Sequence, residues 1–238
     1  MFASTKSHAF KAMLVLCATL AWPAFAHAED LPAPYREMQN NIAYNAQFCD
    51  TGVVFKPASG TLPAPWQKTL FAASPDAAAV RAIAENGKEG SCVRLLAYKW
   101  LREHSQLVPL KLLLGVIIEV PVEEGLDTLA AFADGHVRYV SHAEKLTLID
   151  APQPELRQKS ALLFISSGKL LARIGPWNNK RLPAPIKGKV RMTFLASDGL
   201  YFGEGSFAAI QKDADAAQVI SDGTTLLQAV VQSSAPTK

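Results

Sequence analysis

The chain has 238 residues, 24 Lys and Arg against 21 Asp and Glu, a formal charge of +3, and 49% hydrophobic residues. Near-neutral charge without a clustered basic stripe argues against a nucleic-acid or anionic-membrane partner, and the hydrophobic content and length suffice for a sizeable core.

The opening residues carry Lys6 and Lys11, an apolar run over 12–22, and Ala26-His27-Ala28 ahead of Glu29. A charged start, a short apolar stretch and a small-x-small exit describe a secretory signal peptide over 1–28, cut after Ala28. Without Lys6 and Lys11 the mature chain keeps 22 basic and 21 acidic residues. No later run reaches the length of about 20 apolar residues that spans a bilayer, so a soluble periplasmic or secreted protein is expected. Two cysteines remain after processing, Cys49 and Cys92. In an oxidising compartment they predict a disulfide, and closing a loop of this length stabilises by up to about 4 kcal/mol in the chain-entropy account.

Residues 29–75 read as an N-terminal helix and a Pro/Gly-rich tether. Tyr35, Met38, Ile42 and Cys49 recur at helical spacing, which predicts a helix over 34–48 with those residues inward. The stretch 50–68 is rich in Gly and Pro, with 53–55 as a short edge strand and Trp66 as a pin. Residues 76–233 read as an α+β domain and 234–238 as a tail. Ser74 and Pro75 predict the start of a helix that runs to Asn86, and a second helix over 91–104 carries Val93, Leu96 and Trp100 on one face, with Cys92 in its first turn.

The run over 112–120 is too continuously apolar for an exposed strand and reads as a central one. Asp134-Gly135 then joins two strands, and a two-residue type I′ turn would set Asp127 opposite His142, with Thr128, Ala130, Phe132, Val137 and Tyr139 on the core side. Asp127, Ala131, His136, Arg138 and His142 would share a wet side. A short strand follows over 146–149. A helix over 154–174 has Leu156, Leu163, Leu170 and Ile174 inward, and Gly175 is expected to cap it in a left-handed conformation. Asp198-Gly199 predicts a second hairpin, placing Glu204 opposite Thr193 and diagonal to Arg191, with Gly203 and Gly205 marking a bulge. A last helix over 213–232 turns Val219, Leu226, Leu227 and Val230 inward. The fold expected is α+β: an antiparallel sheet of five to six strands in two hairpin units, helices packed on one face, and a disulfide-tethered N-terminal helical extension.

No nucleophile elbow, phosphate-binding loop, zinc-spaced cysteines or metalloprotease helix is present, so no cofactor or metal is called for. The candidate catalytic pair is Asp127 and His142, as acid and base of a small hydrolase. Candidate binding residues are Arg138, for a carboxylate or phosphate, Trp177 and Tyr201, as walls of an apolar pocket, and Glu204.

The segments Ala133-Asp134-Gly135-x-x-Arg138-Tyr139, Ile174-Gly175-Pro176-Trp177 and Asp198-Gly199-Leu200-Tyr201-Phe202-Gly203-Glu204-Gly205 resemble those of a bacterial protein family with no assigned activity, over residues 112–231. That resemblance implies no catalytic residue. The order of helices and strands is also similar to type III secretion chaperones, an analogy of fold alone. The leading functional expectation is an exported module that binds a protein or envelope component through the sheet face or an edge strand; the alternatives are the small hydrolase and a small-ligand binder.

Overall fold

In the computed structural model, which describes residues 31–58, 60–151 and 153–234, the apolar run becomes β1 (Leu113–Val122). The signal peptide expected over 1–28, Pro152 and residues 235–238 lie outside the described residues. β2 (Gly125–Phe132), β3 (Val137–Val140) and β4 (Leu146–Ile149) follow as a meander, and β5 (Lys189–Ala196) and β6 (Gly199–Ser206) form the second hairpin. All pairings are antiparallel in one six-stranded sheet of order β4-β3-β2-β1-β5-β6. β1 is central, and its unbroken apolar character has a direct cause: both of its faces are covered.

Val116 and Ile118 belong to one core, with Leu129, Val137, Met192 and Phe194. The helices over this face are α5 (Pro154–Arg173), the short α6 (Phe207–Ile210) and α7 (Ala214–Ser233), which bury Leu156, Leu163 and Leu170, then Ile210, then Val219, Leu226 and Val230. Leu114 and Ile117 belong to a second core on the opposite face, with Ala130, Phe132, Val140 and Leu195. These two residues share a face although three apart because the pairing with β5 shifts between Leu113 and Gly115, a bulge that flips the alternation. α1 (Met38–Gln47), α2 (Pro65–Leu70), α3 (Ala77–Glu85) and α4 (Ser91–Glu103) cover this second face. The N-terminal helical extension is therefore a second helical layer, held by the Cys49–Cys92 disulfide, whose Cα atoms are 5.0 Å apart. No helix among the described residues is long and apolar enough to cross a membrane.

Both hairpin registers differ from expectation. Between β2 and β3 the loop is Ala133-Asp134-Gly135: the Phe132 N–H donates to the His136 carbonyl at 2.9 Å, and only Gly135 takes positive φ (+92°). A type I′ turn would demand positive φ of Asp134 as well, so the three-residue loop is the less strained choice. The slip sets Leu129 opposite Tyr139 and Ala130 opposite Arg138. Val137 and Tyr139 consequently face with Leu129 and Ala131, while Arg138 and Val140 face with Thr128 and Phe132, and the expected wet side carrying Ala131 is core. Asp134 also ties this turn to the cover layer, its Oδ2 accepting from the Ser91 N–H of α4 at 2.6 Å. Between β5 and β6 the loop is Ser197-Asp198, Ala196 opposes Gly199, and Glu204 stands directly opposite Arg191. Pairing is regular through Gly203 and Gly205, so the expected bulge is absent; Gly205 faces α6, where a Cβ would meet Ile210 in ordinary contact at 3.6 Å.

The helices bring further corrections. α1 starts at Met38 and turns Met38 and Ile42 outward, 75% and 51% exposed, while Asn40, Tyr44 and Gln47 are buried. Residues Val53–Phe55 form a 3-10 turn instead of a strand. Asp76, rather than Ser74, caps α3, accepting from the Ala79 N–H at 2.8 Å. α4 buries Leu95, Leu96, Tyr98 and Leu101, leaving Val93 and Trp100 half-buried. At the end of α5 the φ of Gly175 is not positive. The cap is instead Lys111, whose Nζ donates to the carbonyls of Leu171, Ala172 and Ile174 at 2.9, 3.0 and 3.0 Å.

Gly223 of α7 sits where a Cβ would lie 2.2 Å from Ile118 Cδ1, so helix and central strand approach only through glycine. Helix propensity alone makes Gly223→Ala favourable by roughly 1 kcal/mol. Overpacking against Ile118, at about 1–3 kcal/mol, outweighs that gain, with an expected net loss of up to about 2 kcal/mol in urea unfolding; a stabilised Gly223→Ala would disprove this account of the contact.

Candidate functional site

On the face under α1 a polar row crosses the middle of the sheet. Thr128 of β2, Glu119 of β1, Arg191 of β5 and Glu204 of β6 stand side by side, because each pair is directly opposite in the register. Arg191 donates from Nε and Nη2 to Glu204 Oε2 at 2.9 and 2.6 Å, and from Nη1 to the Pro183 carbonyl at 2.7 Å. Its Nη1 is 3.8 Å from Glu119 Oε2. Arg191 is 5% exposed and Glu119 0%, so the Glu204–Arg191 contact, directly across the ladder and not diagonal, is the outer part of a buried charge cluster.

Buried charges need satisfied hydrogen bonds, and α1 supplies them from above. The Tyr44 hydroxyl donates to Glu119 Oε1 at 2.7 Å, and the Tyr35 and Thr128 hydroxyls meet at 2.9 Å. Burial drives the Tyr44 and Tyr35 hydroxyls well above the usual phenol range, keeping both as donors. Burial likewise raises the Glu119 carboxyl, against the lowering influence of the Tyr44 hydrogen bond and of Arg191 and Arg181. Arg181 approaches from the link between α5 and β5: Nη2 donates to Asn45 Oδ1 at 2.7 Å, Nε is 3.1 Å from Asp50 Oδ2, and the guanidinium lies 4.0 Å over the Phe48 ring. Gln47, one turn on from Tyr44, is 0% exposed, and neither atom of its amide has a hydrogen-bond partner; Arg181 Nη1 and Glu119 Oε2 also lack one.

Next to this cluster, at the β5–β6 corner, lies a small, shallow pocket open to solvent. Phe48, Trp177, Leu182, Leu200 and Phe202 form its walls, and Arg181 and Arg191 line it. Trp177 is set there by its N–H, which donates to the Leu200 carbonyl at 2.7 Å, and by edge-on contact with Phe202 at 4.9 Å.

The candidates from sequence thus disperse. Asp127 and His142 do meet, with His142 Nδ1 3.0 Å from Asp127 Oδ1, but beyond the end of β3 and not across a ladder pair. Asp127 Oδ1 also accepts from the His142 N–H and the Tyr139 hydroxyl, both at 2.8 Å, so this carboxylate holds the turn leaving β3. Arg138 lies on the other face, 5.4 Å from the Phe132 ring centre. Tyr201 is 1% exposed in the core under α5 to α7 and is not among the residues lining the corner pocket; burial and its hydrogen bond to Asp198 push its hydroxyl up to about 12. Only Trp177 and Glu204 belong to the β5–β6 corner, four strand spacings or about 19 Å from β3. Among the described residues no group of three or more His, Cys, Asp or Glu side chains could hold a metal ion.

Comparison with protein-family models, curated proteins and solved structures finds no match.

The residues missed were Tyr44, Gln47, Glu119 and Arg181. Glu119 had a signal, a lone charge inside a run that folds only as a buried strand; Arg181, in a Pro-rich link, had none.

The raised Glu119 carboxyl fixes a pH dependence. A folded-state value above the unfolded one, near 4.5, means that stability from this group is complete below about 4.5 and declines as pH rises through the folded value. Urea unfolding from pH 4 to pH 8 is expected to show wild type losing stability relative to Glu119→Gln as pH increases; the opposite slope would mean that the arginine charges outweigh burial.

Proposed function

We propose that the chain is an exported binding module, acting in the periplasm or outside the cell, that takes a peptide segment of a partner protein by strand addition at β6. The signal-like opening and the disulfide support export. With helices over both faces of the sheet, a partner reaches it at an edge. β4 offers four residues and β6 eight.

The observation that carries this reading is the bridge between Trp177 and Leu200. Its hydrogen bond fixes which β6 residues point their N–H and C=O away from β5: Leu200, and by alternation Phe202 and Glu204. The chain supplies one residue of a seventh strand there and then curls away, the Trp177 indole donating to the Lys180 carbonyl at 2.9 Å. No strand among the described residues pairs with the outward edge at Phe202 and Glu204. Such an edge is a template for an incoming extended segment, with the Phe202–Trp177 pocket beside it to take an apolar side chain.

The test is selection of linear peptides displayed on phage against the mature chain, then affinity measurement on edge variants. Phe202→Pro removes one outward N–H, a change that edge strands accept, while Phe202→Val retains it. Selected peptides are expected to bind the proline variant about tenfold more weakly than the valine variant, the loss of one or two hydrogen bonds. Equal affinity, or a selection that enriches nothing, would overturn strand addition.

A further inference from the structure

We propose that the shallow pocket at the β5–β6 corner is a binding site for an apolar group that ends in a carboxylate. The inference stands on side chains, not on the β6 backbone, and holds whether or not a strand adds at the edge.

Three observations meet here. Phe48, Trp177, Leu182, Leu200 and Phe202 make the walls apolar and largely aromatic, suited to one end of an apolar group whose remainder lies along the open surface. Arg181 lines the same pocket with a side chain only 9% exposed, already oriented by Asn45, Asp50 and the Phe48 ring. Its Nη1 is buried and without a hydrogen-bond partner, although a desolvated charged donor is costly to leave unmatched. Because that atom is buried, the lining must part slightly for an acceptor to reach it; the acceptor then makes a charge-assisted hydrogen bond in surroundings already largely free of water, from a guanidinium that has already lost its rotamer freedom.

The free group selects the chemistry of the ligand. Asp50 pairs with Arg181 through Nε, and Glu204 with Arg191 through Nε and Nη2, which leaves Arg181 Nη1 as the unmatched donor. A carboxylate meets it with a charge-assisted hydrogen bond, a hydroxyl gains only a weaker one, and an ammonium, which offers donors alone, gains none. Two sources present the same chemistry, a free medium-chain acid and the C-terminus of a peptide with an apolar last residue.

The reporter is the Trp177 indole N–H, which donates to the Lys180 carbonyl at the pocket wall. In ¹H–¹⁵N spectra of the mature chain, hexanoate is expected to move this signal saturably with a Kd on the order of 1 mM, as suits so small a ligand, while hexanol and hexylamine do not. Arg181→Met is expected to abolish the response, with the Trp66 and Trp100 indole signals in place as evidence of folding. Since Arg181 is buried, half-exposed Leu182 gives an independent variant: Leu182→Asp sets a negative charge at the mouth and should lower hexanoate affinity by about tenfold or more. Acetyl-Ala-Leu as free acid and as amide separates the sources. An acid that binds more tightly than hexanoate assigns the site to a chain terminus, equal or weaker binding assigns it to a free acid, and the amide should not bind in either case. No saturable shift with hexanoate, an equal shift with hexanol, or Leu182→Asp binding as wild type would overturn the proposal.

Discussion

A strand covered on both faces buries the side chains of its middle, and the middle of β1 carries one carboxylate. Glu119 sits at 0% exposure in the middle of the sheet, and much of the second face is arranged around that fact. Arg191 faces it from the next strand, Glu204 neutralises the far side of Arg191, and Tyr44 reaches down from α1 to donate a hydrogen bond. Removing one member of such a cluster leaves an uncompensated charge in a poor solvent, whereas replacing the whole by apolar residues is often neutral. The cluster is therefore better read as a device that fixes the seating of α1 than as a source of net stability.

That reading explains why α1 is inside out. Its aliphatic residues Met38 and Ile42 face solvent, and its buried side is Asn40, Tyr44 and Gln47. Orientation comes from contacts that only this rotation allows: Tyr44 on Glu119, Asn45 on Arg181, and Asn40 donating to the Glu144 backbone carbonyl at 2.9 Å. The Glu144 carboxylate accepts the N–H groups of Glu37 and Arg36 at 2.8 and 2.9 Å, which holds its carboxyl below the usual range and fixes the entry to the helix. A hydrophobic count along the helix points the other way because it gives no weight to what the sheet beneath requires.

The same division separates what was legible in the sequence from what was not. Length, alternation and turn residues gave the central strand, both hairpins, the disulfide partners and the inward stripe of α5, since each has a local cause. Register was not legible: Asp-Gly suits loops of two or three residues, and the choice was settled by the φ of Asp134 and its bond to Ser91 in a distant helix. Lys111 as the cap of α5 was equally hidden, because sixty residues separate it from the first carbonyl it binds. The candidate site suffered most. Histidine and aspartate drew attention to Asp127 and His142, while the buried polar chemistry lay with a tyrosine, a glutamine and an arginine brought together only by the fold.

The Cys49–Cys92 link closes a ring of chain that holds the 3-10 turn, α2 and α3, the most irregular part of the cover layer. A protease that nicks the backbone within this ring releases no fragment, because both new ends remain covalently joined to the body through sulfur. Leu62, at 96% exposure, lies in that ring as an obvious point of attack. A cut there would leave the second face of the sheet covered for as long as the disulfide stays oxidised.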